Sequence, residues 1–154
     1  RHIIKTGNFK QILIFTASIY KADNVADKLR KNGINAQAIH GKKGQGARKS
    51  ALNDFKKGFL PILVTTDLLA RGIDIEFLPC VINYELPRSP KDYIHRIGRT
   101  ARAATTGTAI TFINERDQRK FQAIENLIGK QVVAVVRVVI SDLTVKAVLH
   151  TLML

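Results

Sequence analysis

Residues 11–39 read QILIFTASIYKADNVADKLRKNGINAQAI, and the reading of that stretch decides the fold. Gln11 to Thr16 is a short run of large apolar and β-branched residues, the composition of a buried strand. Lys21 to Lys31 has helical period, with Ala22, Val25, Ala26 and Leu29 on one face, and Asn32-Gly33 supplies the left-handed residue that stops a helix. Ala36 to Ile39 is strand-like again. A strand, a helix and a strand in quick succession predict a βαβ unit, hence parallel strands with helices packed on their faces.

The same alternation continues outward. Gln45 to Lys57 reads as a helix with Ala51, Leu52 and Phe55 inward and Gly58 just past its end. Ile62 to Thr65 and Val81 to Tyr84 read as buried strands. Ser89-Pro90-Lys91-Asp92 is a strong helix start, with Ser as N-cap, Pro at the first helical position and a carboxylate three residues after the cap. Thr108 to Ile113 reads as a further strand, and Arg116 to Ile128 as a helix with Phe121, Ile124, Leu127 and Ile128 facing the core. After Lys130 the sequence turns Val-rich, and its pattern predicts an edge strand followed by a helix from about Leu143. The expected domains are residues 1–130 and an apolar extension, 131–154, that reads as part of the same domain, an edge covering or a homodimer contact. The expected fold class is α/β with a mainly parallel central sheet.

Composition narrows the partners. A chain of 154 residues suits one compact domain, and 25 Lys+Arg against 12 Asp+Glu give a formal charge of +13. So positive a surface favours polyanions, nucleic acid first and an anionic membrane second. The lone Cys80 excludes an internal disulfide; it lies in an apolar run and reads as a buried, inert thiol in a reducing compartment. The start, RHIIK, lacks the apolar region of a signal peptide and has no initiating Met, which reads as a piece of a longer protein. The apolar stretch from Gln131 is broken by Arg137, Asp142, Lys146 and His150, well short of the ~20 apolar residues a membrane span needs. Aromatic residues are few and are expected mostly in the core, so no base-stacking platform is evident.

The unusual residues follow strands, where a parallel sheet binds its ligands. His95-Arg96-Ile97-Gly98-Arg99-Thr100-Ala101-Arg102 spaces three arginines three apart, so that one polyanion is a natural partner for a shared basic face. His40-Gly41-Lys42-Lys43-Gly44-Gln45-Gly46-Ala47-Arg48 resembles a phosphate loop superficially. It fails the Walker A pattern, because Gly46 is followed by Ala47 rather than by Lys and a hydroxyl residue. Its glycines still permit close backbone approach to a phosphodiester, and Gln45 and Arg48 add donors at a helix N-terminus. The plain alternative is a basic surface loop. Thr65-Thr66-Asp67-Leu68-Leu69-Ala70-Arg71-Gly72-Ile73-Asp74-Ile75 packs hydroxyls, an arginine and two carboxylates into one connection. One carboxylate suits ribose hydroxyls and a threonine suits a phosphate oxygen, while Asp67 reads equally as a helix cap. No residues stand at metal-ligand spacing.

In order, ILIFTAS, IHGKKGQGARKSAL, TTDLLARGIDI and HRIGRTAR resemble motif IV, the Gln-x-x-Arg element, motif V and motif VI of DEAD-box ATP-dependent RNA helicases, superfamily 2. The likeness is to the second of their two RecA-like domains and runs from about Lys10 to Glu125. The IHG…QGAR wording is similar to the bacterial RhlE-type subgroup. The leading His95 separates the motif from DEAH-type helicases. Ala101 replaces the commoner Gly, and the Val-rich tail has no counterpart in the family pattern.

The resemblance implies a RecA-like three-layer α/β/α domain that supplies half of an ATP site and half of an RNA cleft for local duplex unwinding in the cytoplasm. Arg99 and Arg102 would be catalytic arginine fingers on the γ-phosphate of ATP. Asp74, Arg96, Arg99 and Arg102 would line the nucleotide site, Asp74 on the ribose and Arg96 organising the domain interface. His40, Gly41, Gln45, Arg48, Thr66 and Gly72 would follow the RNA backbone. The absent N-terminal domain would hold Mg2+ and most of the ATP, so the chain alone is expected to be inactive as an ATPase. The alternatives are a non-catalytic RNA-binding module and a superfamily 2 DNA helicase domain of RecQ or RecG type.

Overall fold

The structure, a computed structural model, describes residues 2–100, 107–128, 134–140 and 143–152. A short helix α1 (His2–Thr6) precedes β1 (Ile12–Thr16), α2 (Ile19–Lys31), β2 (Ala36–Ile39), α3 (Gln45–Lys56), β3 (Ile62–Thr66) and a single-turn α4 (Asp67–Ala70). Then come β4 (Cys80–Asn83), α5 (Pro90–Ile97), β5 (Gly107–Ile113), α6 (Gln118–Ile128), β6 (Ala134–Ile140) and β7 (Leu143–Leu152). The strands form one sheet in the order β2-β3-β1-β4-β5-β7-β6. The first five are parallel, as the βαβ reading requires, and β7 then pairs antiparallel with β5.

Every residue of the central β1 is buried, and its alternation distributes two cores. Ile12 and Ile14 pack with Ala22, Val25, Ala26 and Leu29 of α2. Leu13 and Phe15 pack on the opposite face with Ala51 and Phe55 of α3 and with Leu78. A third cluster joins Tyr93 and Ile97 of α5 to Phe121 and Ile124 of α6. The helix ends follow the sequence signals: Gly33 and Gly58 take φ values of 73° and 81°, where a Cβ would be strained, and Ser89 Oγ accepts the Asp92 N–H at 3.2 Å to cap α5.

Two expectations are corrected. The helix foreseen from Leu143 is a strand, because pairing of β7 with both β5 and β6 satisfies its main chain on two sides. Leu127 is 57% exposed on α6 rather than in the core. The aromatics lie mostly in or against the core as expected, Phe9, Phe15, Phe55, Tyr93, Phe112 and Phe121, while Tyr20, Phe59, Phe77 and Tyr84 are exposed. Cys80 is buried as expected, and burial pushes its thiol up to about 12. Among the described residues no helix is long and apolar enough to cross a membrane.

Candidate nucleotide and nucleic-acid site

Toward the carboxyl end of the sheet the apolar row Val64–Ile14–Ile82–Ile110 gives way to Thr65–Phe15–Asn83–Thr111, polar but for Phe15. From β1 the chain crosses toward β2 on one side; from β4 it crosses toward β5 on the other. The crevice between β1 and β4 is therefore the topological switch point, the place where such sheets bind ligands.

Arg96 fills the floor of that crevice. Its Nε donates to Asp67 Oδ1 at 2.5 Å and its Nη2 to Asp67 Oδ2 at 2.8 Å, a bidentate pair from α5 to α4. Nη1 donates to Asn83 Oδ1 at 3.1 Å and to the Glu85 carbonyl at 2.7 Å, and the guanidinium lies 4.9 Å from the Phe15 ring centroid. With 2% of its surface exposed, Arg96 does not share a solvent-facing arginine surface with its neighbours. That corrects the shared basic face expected from spacing, and it means that Asp67 is a partner of arginine rather than a side-chain cap. Arg96 instead ties the strand of motif IV, the helix of motif V and the helix of motif VI together.

Arg99, one turn on, is treated differently. Its Nη1 donates to the carbonyls of Ile73 and Ile75 at 3.2 and 3.4 Å, so the main chain on both sides of Asp74 clasps it. Its own backbone is pinned to the loop before β4: Leu78 N donates to Arg99 O at 3.0 Å, and Thr100 Oγ1 donates to Leu78 O at 2.5 Å. Asp74 stands clear of this clasp, its side chain 92% exposed and 3.4 Å from Lys56 Nζ. The main chain flanking Asp74 is thus bonded to Arg99, whereas the Asp74 carboxylate turns to Lys56. Arg102 lies outside the described residues.

The connection after β2 divides in two. His40 is 3% exposed, and its Nε2 lies 3.0 Å from Asp23 Oδ2; it braces the loop from within and presents no face to a ligand. Asp23 also binds Lys43 Nζ at 2.9 Å. Burial alone would raise the Asp23 carboxyl, but hydrogen bonds from Lys43 and His40 outweigh it and hold the group below its ordinary value. Gly41, Gln45 and Gly46 are exposed, and a Cβ on Gly41, Gly44 or Gly46 would meet nothing. Gly44 caps α3 without any side-chain bond, which leaves the amides of the first helical turn open. Arg48 Nη2 donates to Gln45 Oε1 at 2.7 Å on that turn. After β3, Thr66 sits at the N-cap of α4 without using its hydroxyl as the cap, and Gly72 is exposed. Asp23, Asn83, Glu85 and the Arg71–Asp92 pair were not legible as site residues. Only the carboxylate after the Ser89 cap carried a sequence signal. Among the described residues no three His, Cys, Asp or Glu side chains gather to hold a metal ion.

The model of the helicase conserved C-terminal domain matches residues 1–104. The chain is 40% identical over 131 residues to the ATP-dependent rRNA helicase RRP3 of Phaeosphaeria nodorum, covering 85% of this chain and 24% of that protein. It thus spans about a quarter of the length of this curated relative. The Escherichia coli DEAD-box protein SrmB, solved bound to the regulator of ribonuclease activity A, superposes with a TM-score of 0.76 at 36% identity, over 82% of this chain and 74% of that one. A DEAD-box protein from Methanococcus jannaschii superposes with a TM-score of 0.77 at 40% identity, over 84% of this chain and 36% of that one. The motif order, the RecA-like sheet and these likenesses agree, and the chain belongs to the helicase conserved C-terminal domain family as the C-terminal helicase domain of the DEAD-box RNA helicase type.

Proposed function

We propose that this domain supplies the second half of an ATP-dependent RNA clamp, in a longer protein whose first RecA-like domain holds ATP and its Mg2+. The observation that carries the reading is Arg99. Among the described residues it makes no ion pair, and its guanidinium rests on neutral carbonyls beside the exposed Asp74. A cation held this way keeps its charge for an incoming anion, as an arginine finger must when charge builds on a transferring phosphoryl group. Asp74 then accepts the ribose hydroxyls, exchanging its loose contact with Lys56 for them. Arg102 is the second finger. Arg96 acts as a positioning residue that holds α4 and α5 in register, so that closure of the cleft delivers Arg99 to the γ-phosphate.

RNA runs over the loops at the other side of the carboxyl edge. The open first turn of α3 receives a phosphate, with Gln45 and Arg48 beside it, and Gly41, Thr66 and Gly72 allow close approach of the strand. His40 contributes by bracing its loop. Contacts of this kind read the sugar-phosphate chain, so sequence preference is weak. Closure on ATP bends the bound strand and releases its complement, and hydrolysis reopens the clamp. By itself the domain turns over no ATP. The IHG…QGAR wording supports membership of the RhlE-type subgroup, and the setting is cytoplasmic.

RNA-stimulated ATP hydrolysis by the full-length protein, with Arg99→Ala beside it, is the test. Turnover that RNA stimulates and the substitution abolishes, with ATP binding kept, supports the reading. A mutant that retains turnover reduces the motif to a basic binding face.

A further inference from the structure

We propose that Tyr20 stacks on an unpaired base of the RNA strand, so that the domain grips a base as well as the sugar-phosphate chain; this rests on the RNA reading above. Tyr20 is 73% exposed on the first turn of α2. The face of α2 that meets the sheet is Ala22, Val25, Ala26 and Leu29, and Tyr20 lies about 200° round the helix from Ala22, on the opposite side. It therefore adds nothing to the core.

Its position is the argument for a ligand. α2 begins directly after β1, and side chains on a helix lean toward its N-terminus, so the ring tilts toward the carboxyl-end surface of the sheet. Asp23, one turn along, is bonded to His40 and Lys43 of the loop after β2. That contact fixes the first turns of α2 beside the loop, where Lys42 is also exposed. A rigid aromatic ring next to cations, on a chain of charge +13, is the pairing that single-stranded nucleic acid uses, phosphate on the cations and base on the ring. The other strongly exposed aromatics do not compete. Phe59 and Phe77 precede β3 and β4, at the amino ends of those strands, and Tyr84 packs edge-on against Phe112 with centroids 6.1 Å apart.

The test uses the full-length helicase and a uridine-rich single strand, beside a strand of equal length in abasic ribose phosphates. Tyr20→Ala is expected to weaken binding to the uridine strand about tenfold. Tyr20→Phe keeps wild-type affinity, and on the abasic strand wild type and Tyr20→Ala bind alike. With 5-iodouridine in the strand, photocrosslinks map to Tyr20. If Arg48→Ala weakens binding while Tyr20→Ala leaves it unchanged, stacking is overturned, the phosphate reading stands, and the ring is left to a protein contact. If Tyr20→Ala loses as much on the abasic strand, the ring does not act on a base and the proposal also fails. If the wild type binds neither strand, the RNA reading itself falls and stacking with it.

Discussion

Arg96 and Arg99 stand one helical turn apart in the same motif and have opposite fates. Arg96 is sealed beneath α4 with a carboxylate, an amide and a carbonyl on its donors. Arg99 is partly exposed and rests on two main-chain carbonyls. The difference lies in what happens to the charge. A guanidinium bonded to a carboxylate is neutralised, and removal of Arg96 strands the half-buried Asp67. A guanidinium held by peptide dipoles is oriented but still cationic, so on the proposed reading its removal costs the fold little and the binding of a phosphate much. Arginines three apart are thus equivalent only in sequence, and the nearest acid in space decides which one is neutralised within the fold and which one keeps its charge.

The largest effect that would break this contrast is on turnover. Arg99→Ala in the full-length protein is expected to lower RNA-stimulated ATP hydrolysis about a thousandfold, the range for a missing arginine finger, while the melting temperature stays near wild type. Arg99→Lys should recover little, because a single ammonium cannot rest on both carbonyls and still meet a phosphate. A melting temperature that falls as far as turnover would make Arg99 another scaffold residue.

Arg96→Ala is expected to do the reverse in order of cause: about 3 kcal/mol of stability lost by denaturant unfolding, the low end for one partner removed from a buried pair because water reaches Asp67, with any loss of turnover following from the loosened fold. Asp67→Ala removes the other partner and should cost nearly as much, and the double substitution should cost less than the sum of the two singles. Strict additivity would mean that the pair does not couple α4 to α5.

Gly107 tests the same contrast through the backbone. A Cβ there would lie 2.0 Å from Thr100 O and 2.4 Å from Thr100 Oγ1, and Thr100 is the residue that pins the turn carrying Arg99 to Leu78. Gly107→Ala must push that turn away, at about 1–3 kcal/mol of overpacking. It is expected to raise the KM for ATP more than Arg96→Ala does at matched temperature below melting. Unchanged kinetics would show that the clasp on Arg99 survives without its anchor.

How much of this was legible follows from the range of each interaction. The five parallel strands were readable because their signals are local: Ile12–Phe15 is uniformly apolar, Gly33 and Gly58 stop their helices, and Ser89-Pro90 starts one. β7 was not, although Leu143, Val145, Ala147 and Leu149 alternate with Thr144, Lys146, Val148 and His150 as a strand should. That period competes with a helical one in so short a run, and its register against β5 is a long-range fact. In the candidate site, the sequence singled out Arg99 but not the Ile73 and Ile75 carbonyls that hold it. Arg96 with Asp67, and His40 with Asp23, were missed as pairs because 29 and 17 residues separate the partners. Nothing in a basic motif reveals whether an acid elsewhere will neutralise it.

The smallest effect sharpens the contrast from the exposed side. Arg71 and Asp92 form a second arginine–carboxylate pair between the α4 turn and α5, with side chains 61% and 17% exposed against 2% and 27% for Arg96 and Asp67. The Ser89 hydroxyl, donating to Asp92 Oδ2 at 2.9 Å, and then Arg71 hold the Asp92 carboxyl below its ordinary value of 3.8. The folded state therefore binds this proton less readily than the unfolded chain. The resulting stability is fully present above the unfolded value and drains away as pH falls through the lower folded one. Asp92→Asn should accordingly melt slightly below wild type near neutral pH, with the gap closing as the pH is taken well below 3.8. A gap that stays constant down to that pH would assign the loss to the altered helix cap alone, whereas closure shows that the charge itself stabilises. In either case it should remain well below the cost of Arg96→Ala, because solvent already screens the pair that Arg71 makes.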